Sequence, residues 1–168
     1  MAERSEKVRV ALNGYGVIGK RVADAVKCQD DMELVGIADI ETDWRMRMAL
    51  RKGFKLFAAL EERADAMRKG GLRIEGTLND LLSAADVIVD CTPKTIGAKN
   101  AVLYRNSNIK FIVQGGEKHE VSNHSFVAEA TYTSALGLKC TRVVSCNTTS
   151  IVRTLTALKN AGLLRKAR

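Results

Sequence analysis

The chain has 168 residues, a hydrophobic content of 46% and a formal net charge of +8. This length suits one domain, and this composition is sufficient for a buried core. We find no signal-peptide pattern and no apolar run of the length needed to cross a membrane, so we expect a cytoplasmic protein without a membrane partner.

The cysteines and the basic residues exclude further classes. Cys28, Cys91, Cys140 and Cys146 lack CxxC and Cys/His ligand spacing, which argues against a disulfide framework and against a metal site. No acidic residue follows Glu129, whereas basic residues continue to the end of the chain. Neither interleaved aromatic residues nor an RNA-binding motif accompany them, so the pattern favours a solvated helix face, or a field for anionic substrates, over a nucleic-acid surface.

The first predicted strand, residues 7–12, leads into a glycine motif and then into a helical stretch, residues 20–27. A GxGxxG motif is strong evidence for dinucleotide binding only when it lies between a strand and a helix, as it does here. Gly14 permits the tight turn, Gly16 admits a pyrophosphate, and Gly19 lets the helix pack on the strand. The pyrophosphate is expected at the helix N-terminus. The alternative is a glycine turn without a ligand.

The second predicted strand, residues 33–38, ends at Asp39, twenty residues beyond Gly19. This is the position at which a dinucleotide fold has its ribose-binding carboxylate. Residues 43–69 are charged and predict one or two peripheral helices, whose Met and aromatic side chains we interpret as core-facing. Residues 72–75 predict a short strand, and residues 78–83 a helix that begins after Thr77.

The next buried strand, residues 86–91, ends in Thr92 and Pro93, which we expect to face the cofactor crevice. A helix over residues 97–105 and a strand over residues 110–113 follow. That strand leads into a glycine pair, which suits either a close approach to a ligand or a plain turn. The alternation of strands and helices predicts a doubly wound α/β fold, with a largely parallel sheet and helices on both faces.

The most reactive stretch is predicted after the β-branched run of residues 142–145. Apolar residues then recur at helical spacing, so Cys146 is expected at a strand end beside the first turn of a helix. Free N–H groups and the helix dipole favour a thiolate there, and the same groups with nearby hydroxyls suit an anion such as phosphate. The alternative is a buried structural cysteine.

Three blocks together carry a specific resemblance: NGYGVIGKR from Asn13, QGGEKHE from Gln114 and SCNTT from Ser145. In these blocks the chain resembles archaeal-type glyceraldehyde-3-phosphate dehydrogenase, a Rossmann-fold enzyme. The resemblance implies oxidation of glyceraldehyde 3-phosphate with inorganic phosphate and NAD or NADP. It implies that Cys146 is the nucleophile. It also implies substrate contacts around it, at Ser145, Asn147, Thr148 and Thr149, and dinucleotide contacts at Val17, Ile18, Gly115 and Gly116.

The family's chain is about twice as long. We therefore expect residues 1–146 to be a dinucleotide-binding domain and residues 147–168 to lead into a catalytic domain that this chain lacks. That domain holds the general-base histidine in the family, and neither His119 nor His124 corresponds to it. The resemblance implies a homo-oligomer, a tetramer in the family, with the catalytic half present as a separate chain if the enzyme is split. We expect the isolated chain to be weakly active or inactive.

Related interpretations remain. Aspartate-semialdehyde dehydrogenase and N-acetyl-glutamyl-phosphate reductase also join such a fold to a catalytic cysteine. The blocks that begin at Gln114 and Ser145 favour glyceraldehyde-3-phosphate dehydrogenase over both of them. A non-catalytic nucleotide- or RNA-binding module is the alternative from another class. Many archaeal relatives carry Lys where this chain has Asp39. Because a carboxylate repels a 2′-phosphate, we predict that NAD is preferred over NADP.

Overall fold

All strands of the computed structural model, which describes residues 7–114 and 116–167, lie in one parallel sheet. In chain order its described strands are β1 (Val8–Asn13), β2 (Met32–Asp39), β3 (Leu56–Ala58), β4 (Ile74–Thr77), β5 (Val87–Asp90), β6 (Lys110–Val113), β7 (Ser125–Phe126) and β8 (Cys140–Val143). Their order across the sheet is β4-β3-β2-β1-β5-β6-β8-β7. The chain first winds outward from β1 to β4, and then returns to the other side of β1 with β5.

Helices cover both faces of the sheet. They are α1 (Val17–Lys27), α2 (Trp44–Arg51), α3 (Ala64–Lys69), α4 (Leu78–Ser83), α5 (Ile96–Asn106), α6 (Ala128–Ala135) and α7 (Cys146–Asn160). Short 3₁₀ turns lie at Glu61–Arg63 and His119–Val121. The doubly wound α/β class predicted from the alternation of elements is therefore confirmed.

Two hydrophobic clusters follow from the two-residue period of the strands. Val10 and Leu12 point into the cluster that contains buried residues of α1, α2 and α3, whereas Ala11 points into the cluster that contains α4 and α5. The same alternation separates Val89 from Ile88 in β5. Strands buried on both faces in this way read as continuous apolar runs, which is why β1 and β5 were recognisable in the sequence.

Several elements have the predicted bounds. The strand at Lys110–Val113 and the helix at Leu78–Ser83 agree with the prediction to the residue. The helix begins after Thr77 because Thr77 and Asp80 form a reciprocal capping box, with the Thr77 amide donating to Asp80 Oδ2 at 2.7 Å. The last helix also has a side-chain cap, at Ser145.

Other elements differ from the prediction. β3 was missed because three residues buried on both faces show no alternation, and α6 was missed because none of its residues is buried. The predicted strand over 142–145 begins two residues earlier, since β8 pairs with β6 from Cys140 onward. Met46 is buried as expected, but Trp44 is 64% exposed and Met48 is 39% exposed, so the core-facing interpretation is wrong for these two residues.

Candidate functional site: a crevice at the switch point of the sheet

The glycine motif occupies the carboxyl end of β1, where the winding of the sheet reverses. Gly14 has φ +91°, and a Cβ there would lie 3.0 Å from the backbone of Cys91 and Thr92. A Cβ on Gly19 would lie 2.0 Å from the Gly14 carbonyl oxygen. Both glycines are therefore needed for the turn itself and for the contact between α1 and the sheet.

Gly16 differs from these two glycines, because neither its backbone conformation nor the surrounding packing requires a glycine. Its φ is −75°, and no atom lies within 4 Å of the position that a Cβ would take. No side chain caps the N-terminus of α1 at this point, and no acidic residue lies in its first turn. The open space and the free N–H groups fit a pyrophosphate, and the exposed side chains of Val17 and Ile18 border this space.

Asp39 ends β2, as predicted, and its carboxylate is largely engaged by the backbone. Oδ2 accepts from the Tyr15 amide at 2.7 Å, and Oδ1 accepts from the amides of Ile40 at 2.7 Å and Glu41 at 3.0 Å. A carboxylate has about four acceptor positions, so one position on Oδ2 remains. Asp39 thus ties the glycine turn to the end of β2 and can still accept one ribose hydroxyl.

Three cations near the end of β2 have partners within the described part of the protein. Arg45, at the start of α2, pairs with Asp43 at 2.6 Å. The Arg63 guanidinium donates to the Ile40 carbonyl at 3.1 and 3.2 Å. Lys20 lies 5.1 Å from the centre of the Trp44 ring. The positive groups are therefore oriented by the protein itself rather than aimed at the free position on Asp39.

A buried polar network follows β5. Asp90 is 1% exposed and accepts from the Thr92 amide at 2.9 Å, from the Thr92 hydroxyl, from Asn100 at 2.8 Å and from the Tyr104 hydroxyl at 2.7 Å. Burial, reinforced by the nearby Asp90 charge, raises the pKa of Tyr104 far above its usual value, so Tyr104 remains a donor. The network holds Thr92 half-buried and Pro93 exposed at the rim of the crevice.

The loop between β5 and α5, residues 92–95, contains a strained residue that the sequence did not reveal. Thr95 has φ +77° and ψ −23°, in the left-handed region that β-branched residues avoid. Such a conformation costs on the order of 1–3 kcal/mol and persists only where the surroundings enforce it. Here the Thr95 amide donates to Glu117 Oε1 at 2.6 Å.

The predicted glycine pair after β6 is described in part. Gly115 lies outside the described residues. Gly116 has φ +79°, and nothing lies within 4 Å of the position that its Cβ would take, so it has the open space expected of a ligand contact. Glu117 then turns inward and is only 4% exposed.

Cys146 is the first residue of α7 and is exposed. The helix thus begins at Cys146 rather than after it, and Ser145 is its N-cap, with Ser145 Oγ accepting from the Thr148 amide at 3.3 Å. The Cys146 sulfur lies 3.9 Å from Asn147 Oδ1. Cys146 is therefore not buried within the described part of the chain.

A groove of about 730 Å³ joins the three motifs that were separate in the sequence. Ile18 from the glycine turn, Gln114 from the end of β6 and Cys146 from α7 all line it. Ser145, Asn147 and Thr148 are exposed beside the groove, whereas Thr149 lines it. The crevice for a dinucleotide and the proposed nucleophile therefore open onto the same space.

Two charged residues of this groove, Glu129 and Arg153, were not predicted from the sequence. They form an ion pair at 2.6 Å. Arg153 belongs to the α7 face that carries Cys146. Thr149, Ser150, Thr154 and Ala157 share that face at spacings of three and four residues. This spacing is a signal that could have identified Arg153, whereas nothing in the sequence places α6, and with it Glu129, opposite α7.

The two histidines are occupied elsewhere. His119 Nδ1 lies 3.0 Å from Ser125 Oγ. His124 Nδ1 lies 2.7 Å from Thr141 Oγ1, and its Nε2 lies 3.0 Å from Ser134 Oγ. In the part of the chain that the structure describes, neither histidine lines the groove at Cys146. Both side chains therefore contact hydroxyl groups of neighbouring strands or of a neighbouring helix.

Within residues 7–114 and 116–167, no group of three or more His, Cys, Asp and Glu side chains is arranged to hold a metal ion. The same residues include no helix that is both long enough and apolar enough to span a bilayer.

We expect Cys146 to react first when a small alkylating agent is added in limiting amount near neutral pH. Cys28 is the matched control, because it is also exposed but lies at the C-terminal end of α1, where the helix dipole disfavours an anion. The difference between the two helix ends predicts a rate ratio on the order of tenfold. Burial, and then the Asp90 charge, raises the pKa of Cys91 to about 12, so Cys91 stays unreactive.

Peptide mass spectrometry at several labelling times shows in which sequence the four thiols are labelled. Cys28 or Cys140 reacting ahead of Cys146 in the folded protein would contradict the assignment of the nucleophile.

Comparison with known proteins shows which protein family shares this architecture. The family described as "Dihydrodipicolinate reductase, N-terminus" matches residues 8–133. The chain belongs to this family of NAD-binding Rossmann domains.

More particularly, the chain is similar to the N-terminal half of archaeal glyceraldehyde-3-phosphate dehydrogenases. It is 48% identical to the enzyme of Methanothermus fervidus, with 95% of this chain and 47% of the relative aligned. It is 53% identical to that of Pyrococcus furiosus, with 92% of this chain and 46% of the relative aligned. The chain thus spans about half the length of the curated relatives it matches.

Solved structures show the same fold at low sequence identity. Aspartate semialdehyde dehydrogenase II from Vibrio cholerae superposes with a TM-score of 0.60 at 12% identity, covering 92% of this chain and 47% of that one. The WlbA dehydrogenase from Bordetella pertussis, solved with NADH, superposes with a TM-score of 0.53 at 20% identity, covering 96% and 41% of the two chains.

Proposed function

We propose that the chain is the dinucleotide-binding and nucleophile-bearing part of a phosphorylating glyceraldehyde-3-phosphate dehydrogenase. In this proposal residues 1–146 bind NAD or NADP, and residues 147–168 lead from the nucleophile toward a catalytic domain. The substrates are glyceraldehyde 3-phosphate and inorganic phosphate. The observation that carries the proposal is the shared groove, which brings Ile18 of the glycine turn and Cys146 of α7 to one space.

The residues of the groove suit covalent catalysis. Cys146 Sγ adds to the aldehyde carbon and gives a thiohemiacetal, which on loss of hydride becomes a thioester that phosphate cleaves. A bound dinucleotide supplies the acceptor for that hydride. The crevice formed by Gly14, Gly16 and Asp39 would hold the dinucleotide. Dividing the oxidation into an addition, a hydride loss and a phosphorolysis makes each step easier than the direct reaction.

The start of α7 also suits the charge that develops during these steps. The helix has no acidic residue in its first turn, and its first N–H groups face the same end as Cys146. Together with the Asn147 side chain they can stabilise the oxyanion that forms when sulfur adds to the carbonyl. Ser145, Thr148 and Thr149 supply hydroxyls beside it for the substrate's polar groups.

The assembled enzyme is proposed to be a cytoplasmic homotetramer, with the catalytic half supplied by a further segment or by a separate chain. A substrate profile tests the proposal directly. The chain, combined with the C-terminal half of the Pyrococcus furiosus relative, is assayed with three aldehydes: glyceraldehyde 3-phosphate, aspartate semialdehyde and N-acetylglutamate semialdehyde. Phosphate-dependent dinucleotide reduction with the first aldehyde supports the proposal, and a preference for either of the others contradicts it.

Cofactor preference provides a second test. We expect NAD to bind more tightly than NADP, by a factor on the order of ten to a hundred, because the Asp39 carboxylate repels a 2′-phosphate in a partly buried crevice. Asp39→Asn is the better variant than Asp39→Lys, since three backbone amides already use this side chain and a lysine would break the turn. Asp39→Asn should reduce the ratio of the affinity for NAD to the affinity for NADP.

Calorimetric titration of both dinucleotides into both proteins measures the ratio. Tighter binding of NADP by the wild-type protein, or an identical ratio in Asp39→Asn, would show that this carboxylate does not set the preference.

A further inference from the structure

Thr95 and Glu117 form a pair that the proposed reaction does not use. Thr95 keeps its left-handed conformation while its amide donates to Glu117 Oε1 at 2.6 Å. Gly97 allows this approach, because a Cβ there would lie 3.2 Å from the same carboxylate oxygen. Among the described residues no Lys or Arg side chain bonds to the Glu117 carboxylate. The buried Glu117 carboxylate thus accepts the amide hydrogen of a strained residue.

The strained residue ends the loop that borders the dinucleotide crevice. At its other end, Thr92 lies against the glycine turn, with its amide nitrogen 3.0 Å from the position of a Gly14 Cβ. Within the loop region the Ile96 amide donates to the Pro93 carbonyl at 3.0 Å. This bond ties the Pro93 carbonyl to the residue after Thr95, so we expect a change of backbone at Thr95 to be passed to Pro93 at the rim of the crevice.

Glu117 is itself held by the strand that leads to the nucleophile. Arg142 of β8 donates through Nη1 to the Glu117 carbonyl at 2.8 Å and through Nε to Ser125 Oγ at 3.0 Å. Cys146 follows Arg142 by four residues. The contacts therefore run without a break from the loop at the crevice, through Glu117, to the segment that carries Cys146.

We propose that Glu117 is a positioning residue for the dinucleotide: its buried carboxylate holds Thr95 in the left-handed conformation and thereby sets the loop of residues 92–95 against the crevice. This rests on the proposed function only in that the crevice binds a dinucleotide. Glu117 does not touch the cofactor, and its effect passes through the backbone of Thr95. If Glu117 were only a cap of α5, its replacement would affect the stability of α5 and leave dinucleotide binding unchanged.

A rescue experiment separates these two roles. Glu117→Ala removes the acceptor and should weaken NADH binding about tenfold, since Thr95 then relaxes out of its strained conformation. Glycine adopts φ +77° without strain, so Thr95→Gly in the Glu117→Ala background should recover most of the lost affinity. Glu117→Gln, whose amide oxygen still accepts from Thr95, should lose less than Glu117→Ala. Affinity is measured by NADH fluorescence and thermal unfolding by circular dichroism on the same samples.

The result expected is a recovery of affinity in the double variant without a recovery of melting temperature. Affinity that follows melting temperature in every variant, or a double variant as weak as Glu117→Ala, overturns the proposal. If Glu117→Ala does not fold, Glu117→Asp shortens the side chain by one carbon, and the same loss and the same rescue by Thr95→Gly are required of it. A wild-type chain that binds no NADH refutes the proposed function itself and this inference with it, whereas normal binding by Glu117→Ala refutes only the inference.

Discussion

Replacing Cys146 with serine should lower the dehydrogenase activity of the assembled enzyme by at least about 10⁴-fold, as expected when the nucleophile of a covalent mechanism is lost. The serine hydroxyl keeps the size of the side chain and the start of α7, but it is not ionised near neutral pH. Dinucleotide affinity should stay within about twofold of wild type, because Cys146 lies across the groove from the glycine turn. Steady-state kinetics and an NADH titration measure the two effects.

Cys28→Ser is the matched control for this variant. Cys28 is exposed at the end of a helix, as Cys146 is, but it is outside the groove. Its replacement should leave both turnover and dinucleotide binding unchanged. Substantial activity in Cys146→Ser, or an equal loss in Cys28→Ser, would mean that another group attacks the aldehyde.

The 168-residue chain alone should turn over about 10² to 10⁴ times more slowly than the same chain complemented by the C-terminal half of a relative. Over the described residues, His119 and His124 bond to hydroxyls away from the groove, so no imidazole is placed to move a proton at Cys146. Dinucleotide reduction is followed with glyceraldehyde 3-phosphate and phosphate, with and without the added half.

The control for complementation is the chain carrying Cys146→Ser, which should gain nothing from the added half. Equal turnover of the chain with and without its complement, in a preparation whose mass is verified, would show that the groove described here is sufficient for the reaction.

Local sequence patterns predicted the parts of this fold that depend on local physics. The glycine spacing predicted the turn at Gly14 and the close contact at Gly19, because only backbone geometry is involved. Thr77 predicted the start of α4, and the structure shows that it caps the helix together with Asp80, which lies only three residues later. Asp39 was found at the end of β2 for the same reason, since the length of the βαβ unit determines its position.

Features that depend on distant partners were not predictable. The short strand β3 is defined by its pairing with β2 and β4 rather than by its own composition. The left-handed Thr95 donates its amide hydrogen to Glu117, a partner 22 residues later in the chain. The groove likewise exists because α6 and α7 meet the glycine turn in space. The strand-to-helix pattern and the resemblance to a known family predicted Cys146 as the nucleophile, but its position relative to Arg153 and Gln114 depends on the tertiary fold.

The order of strands in the sheet also has a kinetic consequence. The crevice lies between β1 and β5, and the contact of Arg9 with Asp86 that joins these strands spans 77 residues of chain. Closing so long a segment is slow, since its conformational entropy is lost before the stabilising contacts between β1 and β5 are formed. We therefore expect the nucleotide site to be completed late in folding, so that a chain emerging from the ribosome gains this site only when β5 has docked.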